Sequence, residues 1–257
     1  MRVRQVALVS GDLDRVTGEL AAAFGLNVAY NDPHIHHYGL KNAVLPVGAS
    51  FLEVVEPIRP DASAARHLAR RGGDAGYMLI VQVADAPAEA ARAEALGVRV
   101  VDRIDSPAYY CAHFHPADFG GMLVSFDQQR TEPDPLRDGG DWMPAGAEWA
   151  RAQADGVGEI AAVVMSAADP QALAARWAEL FGRPLDPADP LRLPLDRGEV
   201  RFVASEPGAP TLIEGLDVAV DDPALVLAQA RAAGLGVEAG GVSIGGVTLR
   251  PVAAALG

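Results

Sequence analysis

The sequence predicts an α+β fold built from four copies of one strand-and-helix unit. Two features predict it: an apolar strand phrase that occurs twice, and a capped amphipathic helix near the start of each unit. The phrase FLEVVEP at 51–57 returns as VRFVASEP at 200–207, with Val203 where Glu53 stands in the first copy. The chain therefore reads as a duplicated architecture whose first copy retains a carboxylate inside an apolar strand.

The first unit begins with a strand over residues 3–9, followed by a helix that Asp12 caps. Apolar residues at helical spacing form one face of this helix: Leu13, Val16, Leu20 and Phe24. Gly25 predicts the end of the helix, because glycine readily takes the positive φ of a helix C-cap. Two strands, at about 40–46 and 50–56, complete the unit.

The second unit follows a connector at 58–75 that contains a short helix. It has a strand at 77–83, a helix that begins after Asp85, and strands at 109–115 and 122–127. Proline, aspartate and paired glycines between the last two strands are typical of a turn.

The third and fourth units repeat the spacing of the first two. Asp169 precedes Phe181-Gly182 by twelve residues, as Asp12 precedes Phe24-Gly25. The fourth unit starts at about Leu216, and its DDPA phrase at 221–224 resembles the DAPA phrase at 85–88.

Residues 129–156 differ in composition from the units, with charged and proline-rich clusters. This segment is predicted to be a linker between a first domain at 1–128 and a second at 157–257. Its aromatic residues Trp142 and Trp149 are expected to pin it to a domain surface.

The composition argues against several classes of function. A formal charge of −13 and a pI near 4.8 argue against nucleic-acid binding, which needs clustered cations. No apolar run predicts a membrane span or a signal peptide. The single cysteine, Cys111, excludes an internal disulfide, favours a cytoplasmic location and is expected to pack as a small apolar residue. A homodimer is left open.

The order of these motifs resembles the vicinal oxygen chelate superfamily, which includes glyoxalases, bleomycin-resistance proteins and extradiol dioxygenases. The features that carry the resemblance are a capping aspartate, a helix ending in Phe-Gly or Leu-Gly, a strand with Glu53 before Glu56-Pro57, and the turn HPADFGG at 115–121. The resemblance covers nearly the whole chain. It implies four βαβββ units that form two curled mixed-sheet barrels with helices outside.

The resemblance also implies metal-ligand positions, and most are not filled by metal-binding side chains. In the first domain these positions are Gln5, Met78, Glu53 and Ser125. In the second they are Ala162, Val203, Glu214 or Gly215, and Arg250. Methionine and serine are poor ligands for hard divalent ions, so a metal is left open only at Gln5 and Glu53, and any cofactor is unknown.

Strand alternation predicts which side chains face one side of the first-domain sheet. The polar ones are Gln5, Glu53, Gln82, His113, His115, Ser125 and Asp127, with apolar residues such as Met78 beside them. Glu53 could instead be a buried carboxylate paired with an arginine of 66–71. The loop histidines His34, His36 and His37 form either a solvated surface or a metal site.

The sequence leaves two functions open. In the first, an enzyme acts on a small oxygenated molecule as a lyase, isomerase or dioxygenase, with Glu53 as general base and His113 as acid or oxyanion donor. Substrate contacts are then expected from Gln5, Met78, Gln82, His115 and Ser125. In the alternative, the protein binds a small molecule without a metal, as resistance proteins of the superfamily do.

Overall fold

The computed structural model describes residues 1–254, which contain fourteen strands and five α-helices. The helices are α1 (Leu13–Phe24), α2 (Ser63–Arg71), α3 (Ala86–Ala95), α4 (Pro170–Phe181) and α5 (Pro223–Ala232). The strands of the first half are β1 (Arg2–Val9), β2 (Leu40–Val47), β3 (Ser50–Pro57), β4 (Ala75–Gln82), β5 (Val100–Asp105), β6 (Tyr109–Phe114) and β7 (Leu123–Gln129). Those of the second half are β8 (Val157–Ala167), β9 (Arg192–Pro194), β10 (Glu199–Ala204), β11 (Leu212–Val220), β12 (Val237–Glu238), β13 (Gly241–Ile244) and β14 (Val247–Ala253).

Four of the helices begin at an aspartate, as the sequence predicts. The side chain of Asp12 accepts a hydrogen bond from Arg15 N, and Asp85, Asp169 and Asp222 make the equivalent bond in α3, α4 and α5. Each bond satisfies one backbone N–H that has no partner within the first helical turn. The predicted cap at Gly25 is confirmed, with a φ of 68°.

The strands form two mixed sheets of seven, in the orders β2-β3-β1-β4-β7-β6-β5 and β12-β13-β14-β11-β8-β10-β9. The α+β class is confirmed, but the prediction of closed barrels is wrong. Among the described residues, β2 and β5 remain as edges of the first sheet, and β12 and β9 as edges of the second. Each of these edge strands pairs with one neighbour only, so both sheets are open.

Four tandem units of the βαβββ kind are present, but only two of them have all four strands. The second and fourth units have four strands, but the first and third have three. In the first unit, the chain between α1 and β2 makes only an isolated bridge from Tyr30 to Val44 and a 3₁₀ helix at Pro33–Tyr38. Asp32 and Pro33 favour that turn over a fourth strand.

The chain packs into two compact units, each assembled from three segments. They are numbered unit 1 and unit 2 and are distinct from the first to fourth strand-and-helix units of the sequence. Unit 1 contains Met1–Arg4, Met78–Met143 and Ala162–Ile213. Unit 2 contains Gln5–Tyr77, Pro144–Ala161 and the chain from Glu214 onward. The division into domains at 1–128 and 157–257 stays a prediction. The strands of the first sheet lie within 2–129 and those of the second within 157–253.

Each unit has its own apolar core. In unit 1, aromatic side chains of β6, β7 and α4 meet, with the rings of Phe126 and Phe181 5.4 Å apart and those of Trp177 and Phe181 stacked. In unit 2, α1 packs against α5. Trp142 in unit 1 and Trp149 in unit 2 are both buried, as expected for anchors of the 129–156 segment. No helix of residues 1–254 is long and apolar enough to cross a bilayer.

The cap of α4 offers a test of these helix assignments. Asp169→Ala removes the side-chain acceptor for Ala172 N, and we expect it to lower the free energy of unfolding by about 1 kcal/mol. Asp169→Asn is the matched control, because its amide oxygen can still cap the helix. Urea unfolding should therefore place the asparagine variant close to the parent. Equal loss in both variants would contradict the assignment.

Candidate functional site

Glu53 lies at the centre of β3, flanked by β1 on one side and β2 on the other. Its Cα partners are Ala7 in the parallel pairing with β1 and Val44 in the antiparallel pairing with β2. Both neighbours are buried and have short or apolar side chains, and Glu53 itself is 7% exposed. A carboxylate in such a place is expensive to ionise unless polar groups replace the water it has lost.

Two amide side chains supply those polar groups. Gln5 Nε2 donates to Glu53 Oε2 at 2.8 Å, and Asn42 Nδ2 donates to Glu53 Oε1 at 2.7 Å. Gln5 pairs with Phe51 and Asn42 with Val55, so each amide is a diagonal neighbour of Glu53 from a different flanking strand. The carboxylate is therefore clamped from both sides by neutral donors.

The backbone before the 3₁₀ helix fixes the orientation of Asn42. Asp32 N donates to Asn42 Oδ1 at 2.8 Å, which leaves the Nδ2 group to face Glu53. Asn31 Nδ2 also donates to the backbone oxygen of Asn42, at 2.6 Å. The loop that precedes β2 thus holds one half of the amide clamp.

Burial raises the pKa of Glu53 above its ordinary value, and the hydrogen bonds from Asn42 and Gln5 oppose that rise. The negative charge of Asp32 raises it further. Tyr77 is close enough for the charge of Glu53 to raise the pKa of its phenol, although burial is the larger cause. Glu53 is therefore a carboxyl group that holds its proton to higher pH than an exposed glutamate does.

The partners that the structure gives Glu53 are amides, not an arginine of the 66–71 segment. Arg66 instead donates to Ser63 Oγ at 2.9 Å, and Arg71 Nε lies 3.5 Å from His67 Nε2. His67 is buried, and its pKa is lowered to about 4, first by burial and then by Arg71. The three histidines of the 33–38 segment are exposed: His34, His36 and His37.

Unit 1 holds the other predicted site residues. Gln82 pairs with Asp127 and Ser125 with His113, while Met78 pairs with Leu123. Gln82 Oε1 accepts from Arg2 Nε at 2.9 Å, and Gln82 Nε2 donates to the backbone oxygen of Pro135 at 2.6 Å. Gln82 is thus tied to other parts of its own unit.

His113 has one acidic neighbour, Asp102, and one sulfur-bearing neighbour, Cys111. Its Nε2 is 3.6 Å from Cys111 Sγ, and its Nδ1 is 3.9 Å from Asp102 Oδ2. Burial lowers the pKa of His113, and Asp102 opposes that change. Burial also raises the pKa of Cys111, which suits the predicted role of a packed thiol.

His115 caps a turn. It precedes the 3₁₀ helix Pro116–Phe119, and its Nδ1 accepts from Ala117 N at 3.2 Å. This contact organises the backbone at the end of β6.

Sequence reasoning missed Asn42, and it placed Asp127 on the sheet face without predicting its environment. Asn42 is the second half of the amide clamp, and a lone amide in the apolar strand before the Glu53 strand was the available signal. Asp127 is fully buried and accepts a hydrogen bond from the Tyr109 hydroxyl. Burial raises its pKa to about 7, and the hydrogen bonds from Ser125 and Tyr109 oppose the rise.

Of the predicted site residues, the structure brings Gln5 and Glu53 together in unit 2. The others belong to unit 1: Met78, Gln82, His113, His115 and Ser125. The joint action of Glu53 with His113 stays a prediction.

The divalent metal that the superfamily implies does not fit the residues around Glu53. Both carboxylate oxygens accept hydrogen bonds from amide N–H groups, so Gln5 and Asn42 present nitrogen donors where a cation would need oxygen ligands. Residues 1–254 contain no group of three histidine, cysteine or acidic side chains arranged to hold a metal.

Comparison with known families places the chain. Residues 6–181 match the family described as glyoxalase-like domain, which is more than half of the sequence. The chain belongs to the glyoxalase-like domain family. The resemblance to the vicinal oxygen chelate superfamily is thereby confirmed. A comparison with curated proteins gives no match.

Solved structures also resemble this glyoxalase-like chain. A mutant of 4-hydroxymandelate synthase from Streptomyces coelicolor has a TM-score of 0.68 at 17% identity, covering 91% of this chain and 75% of its own. This match shows the fold. A variant of Streptomyces coelicolor methylmalonyl-CoA epimerase, in complex with 2-nitronate-propionyl-CoA, has a TM-score of 0.45 at 26% identity, covering 49% and 96%. The Mycobacterium tuberculosis epimerase has a TM-score of 0.45 at 24% identity, covering 49% and 86%.

Asp127 should make stability depend on pH. Its pKa is raised from 3.8 to about 7 in the folded chain, so the folded state binds a proton that the unfolded state releases. The stabilisation is complete below about pH 4 and is lost as the pH rises through about 7, a change on the order of 4 kcal/mol. In Asp127→Asn this fall should be absent from urea unfolding curves.

Asp14→Asn, which changes an exposed aspartate, is the matched control for Asp127→Asn. That control should keep the pH dependence of the parent. If the Asp127→Asn and parent curves ran parallel from about pH 4 to about pH 8, the raised pKa would be wrong.

Proposed function

We propose that this glyoxalase-like protein is an enzyme that moves a proton on a small carbonyl compound, with Glu53 as the base. The observation that carries the proposal is the buried Glu53 carboxylate, whose pKa burial raises while two amides hold its position. A base with a raised pKa takes a proton more strongly than an ordinary carboxylate does.

The chemistry follows from those contacts. Glu53 would take a proton from the carbon beside a carbonyl group, so that the C–H bond breaks, an O–H bond forms on Glu53, and the electron pair moves to the carbonyl oxygen. Each Glu53 oxygen uses one lone pair for its amide and retains a second for the incoming proton. Return of the proton completes an isomerisation or an epimerisation.

Gln5 and Asn42 are positioning residues in this proposal. They hold the carboxylate against rotation and oppose the rise that burial causes in its pKa. Without them, Glu53 would remain protonated to a higher pH and would be a base in a smaller fraction of molecules.

Deuterium uptake tests the role of Glu53. We expect the protein to exchange the hydrogen beside the carbonyl in at least one member of a panel of 2-oxo acids, hydroxyketones and acyl thioesters in D₂O, measured by proton NMR. Glu53→Gln should slow that exchange by about 100- to 10,000-fold, because a general base contributes that much to a rate.

The control for Glu53→Gln is Glu206→Gln, which changes an exposed glutamate and should leave exchange unchanged. Exchange that proceeds at the parent rate in Glu53→Gln would remove Glu53 from the mechanism.

A second experiment concerns the amide clamp and needs no substrate. Asn42→Leu deletes the largest of the hydrogen-bond contributions that lower the pKa of Glu53, so the Glu53 carboxyl should titrate at higher pH. Carbon-13 NMR of labelled glutamate would measure this titration, with the Glu53→Gln spectrum to identify the signal. The pH below which the deuterium exchange rate falls should rise together with the pKa of Glu53. A downward or absent shift would contradict the positioning role.

A further inference from the structure

Two arginines of β1 are buried in unit 1 even though a guanidinium group keeps its charge. Arg2 is 2% exposed and Arg4 is 0% exposed. Arginine does not lose its proton in a folded protein, so other groups must replace the water that these cations give up.

The segment between β7 and Met143 supplies oxygen atoms for this purpose. We call residues 130–142 the covering loop. Arg2 Nη1 donates to Asp138 Oδ1 at 3.2 Å, and Arg2 Nη2 donates to the backbone oxygen of Arg137 at 3.2 Å. Arg4 Nη2 donates to the backbone oxygen of Gly140 at 3.1 Å. The covering loop thus gives the guanidinium group of Arg2 two acceptor oxygens and that of Arg4 one.

The covering loop also brings negative charge to these cations. Asp138 forms an ion pair with Arg2. The pKa of Glu132 is lowered to about 2, chiefly by its bonds with Arg137, and Arg4 adds to that effect. The loop therefore presents two carboxylates and two carbonyl oxygens on the side that meets Arg2 and Arg4.

Bonds within the covering loop make it a compact body. Arg137 Nη2 donates to Glu132 Oε1 at 2.7 Å, and Asp141 N donates to the same oxygen at 2.9 Å. Thr131 Oγ1 donates to Asp141 Oδ2 at 2.9 Å. A loop that its own side chains hold together can move as one body without unfolding the strands beneath it.

Beneath the covering loop lie groups suited to a ligand. Gln82 accepts from Arg2 and donates to the loop through the backbone oxygen of Pro135. Tyr109 also lies there, and its ring meets the ring of Trp142, the last residue of the covering loop, edge-on with centroids 5.6 Å apart. The guanidinium carbon of Arg4 lies 5.1 Å from the Trp142 centroid. Displacing the loop would uncover cations, an amide and a phenol on one surface.

We propose that Arg2, Arg4 and Gln82 form a site for a small organic anion bearing a carboxylate or phosphate group, and that the covering loop fills this site in place of the ligand. The oxygens of Asp138, Arg137 and Gly140 occupy positions that ligand oxygens take when the loop moves away. Guanidinium forks match the paired oxygens of carboxylate and phosphate. This site lies within unit 1 and does not involve Glu53, so it stands apart from the proposed proton transfer.

Weakening the covering loop should expose the site. The double variant Glu132→Gln and Asp138→Asn loses the charges that compete with a ligand. We expect succinate or inorganic phosphate to bind this variant about tenfold more tightly than the parent, measured by tryptophan fluorescence with sodium chloride at equal ionic strength as the blank. Tryptic cleavage after Arg137, followed by mass spectrometry, should become faster when the anion is added.

Arginine variants made in the background of Glu132→Gln and Asp138→Asn test whether the two responses depend on Arg2 and Arg4. Arg2→Gln should abolish both responses, and Arg4→Lys, which keeps the charge but not the fork, should weaken them. Arg151→Gln, which changes an exposed arginine outside the covering loop, should leave them unchanged. Should Arg2→Gln fail to fold, Arg4→Lys alone carries the test.

The outcomes separate the ligand classes. A response to succinate alone assigns a carboxylate ligand, and a response to phosphate alone assigns a phosphate ligand. The proposal is overturned if neither anion alters fluorescence or cleavage after Arg137 in the double variant. It is also overturned if the arginine variants respond as their parent does.

Discussion

Burial of charged and ionisable groups against the first sheet is the constraint on which the rest of this structure depends. Glu53 remains compatible with the apolar strand around it because two amide side chains replace the water it has lost. Neutral donors are well suited to this task. They stabilise the carboxylate without the strong fall in pKa that an arginine partner would cause, so the group keeps the raised pKa that a base can use.

The same constraint explains the segment that follows β7. Its composition predicts a linker, but in the structure residues 130–142 cover Arg2 and Arg4 and accept hydrogen bonds from both. A segment that only connects domains needs no such contacts. Because both cations are fully charged and buried, the segment must stay in place or something with similar oxygens must take over its role.

Duplication left different chemistry in related positions. Counted from Asp12 and Asp169, Val164 corresponds to Ala7, and it pairs with Arg201 as Ala7 pairs with Glu53. The sequence phrase alone matched Val203 to Glu53, and the corresponding residue of the second unit is Ser125. The fold tolerates these exchanges because the strands and capped helices depend on the apolar pattern and not on any one polar residue. The carboxylate at Glu53 is therefore not required to form the strand, which supports a functional role for it.

The sequence by itself determined the features that depend on neighbouring residues. Helices that begin at Asp12 and Asp169, the β3 strand, and the placement of Gln5 and Glu53 on one face all follow from capping and alternation. The tertiary structure decided what depends on segments far apart in the chain. Strand register placed Asn42 diagonally beside Glu53, and the open edges of the sheets followed from which segments paired. Local pattern fixes the direction of a side chain, but only the pairing of distant segments fixes what it meets.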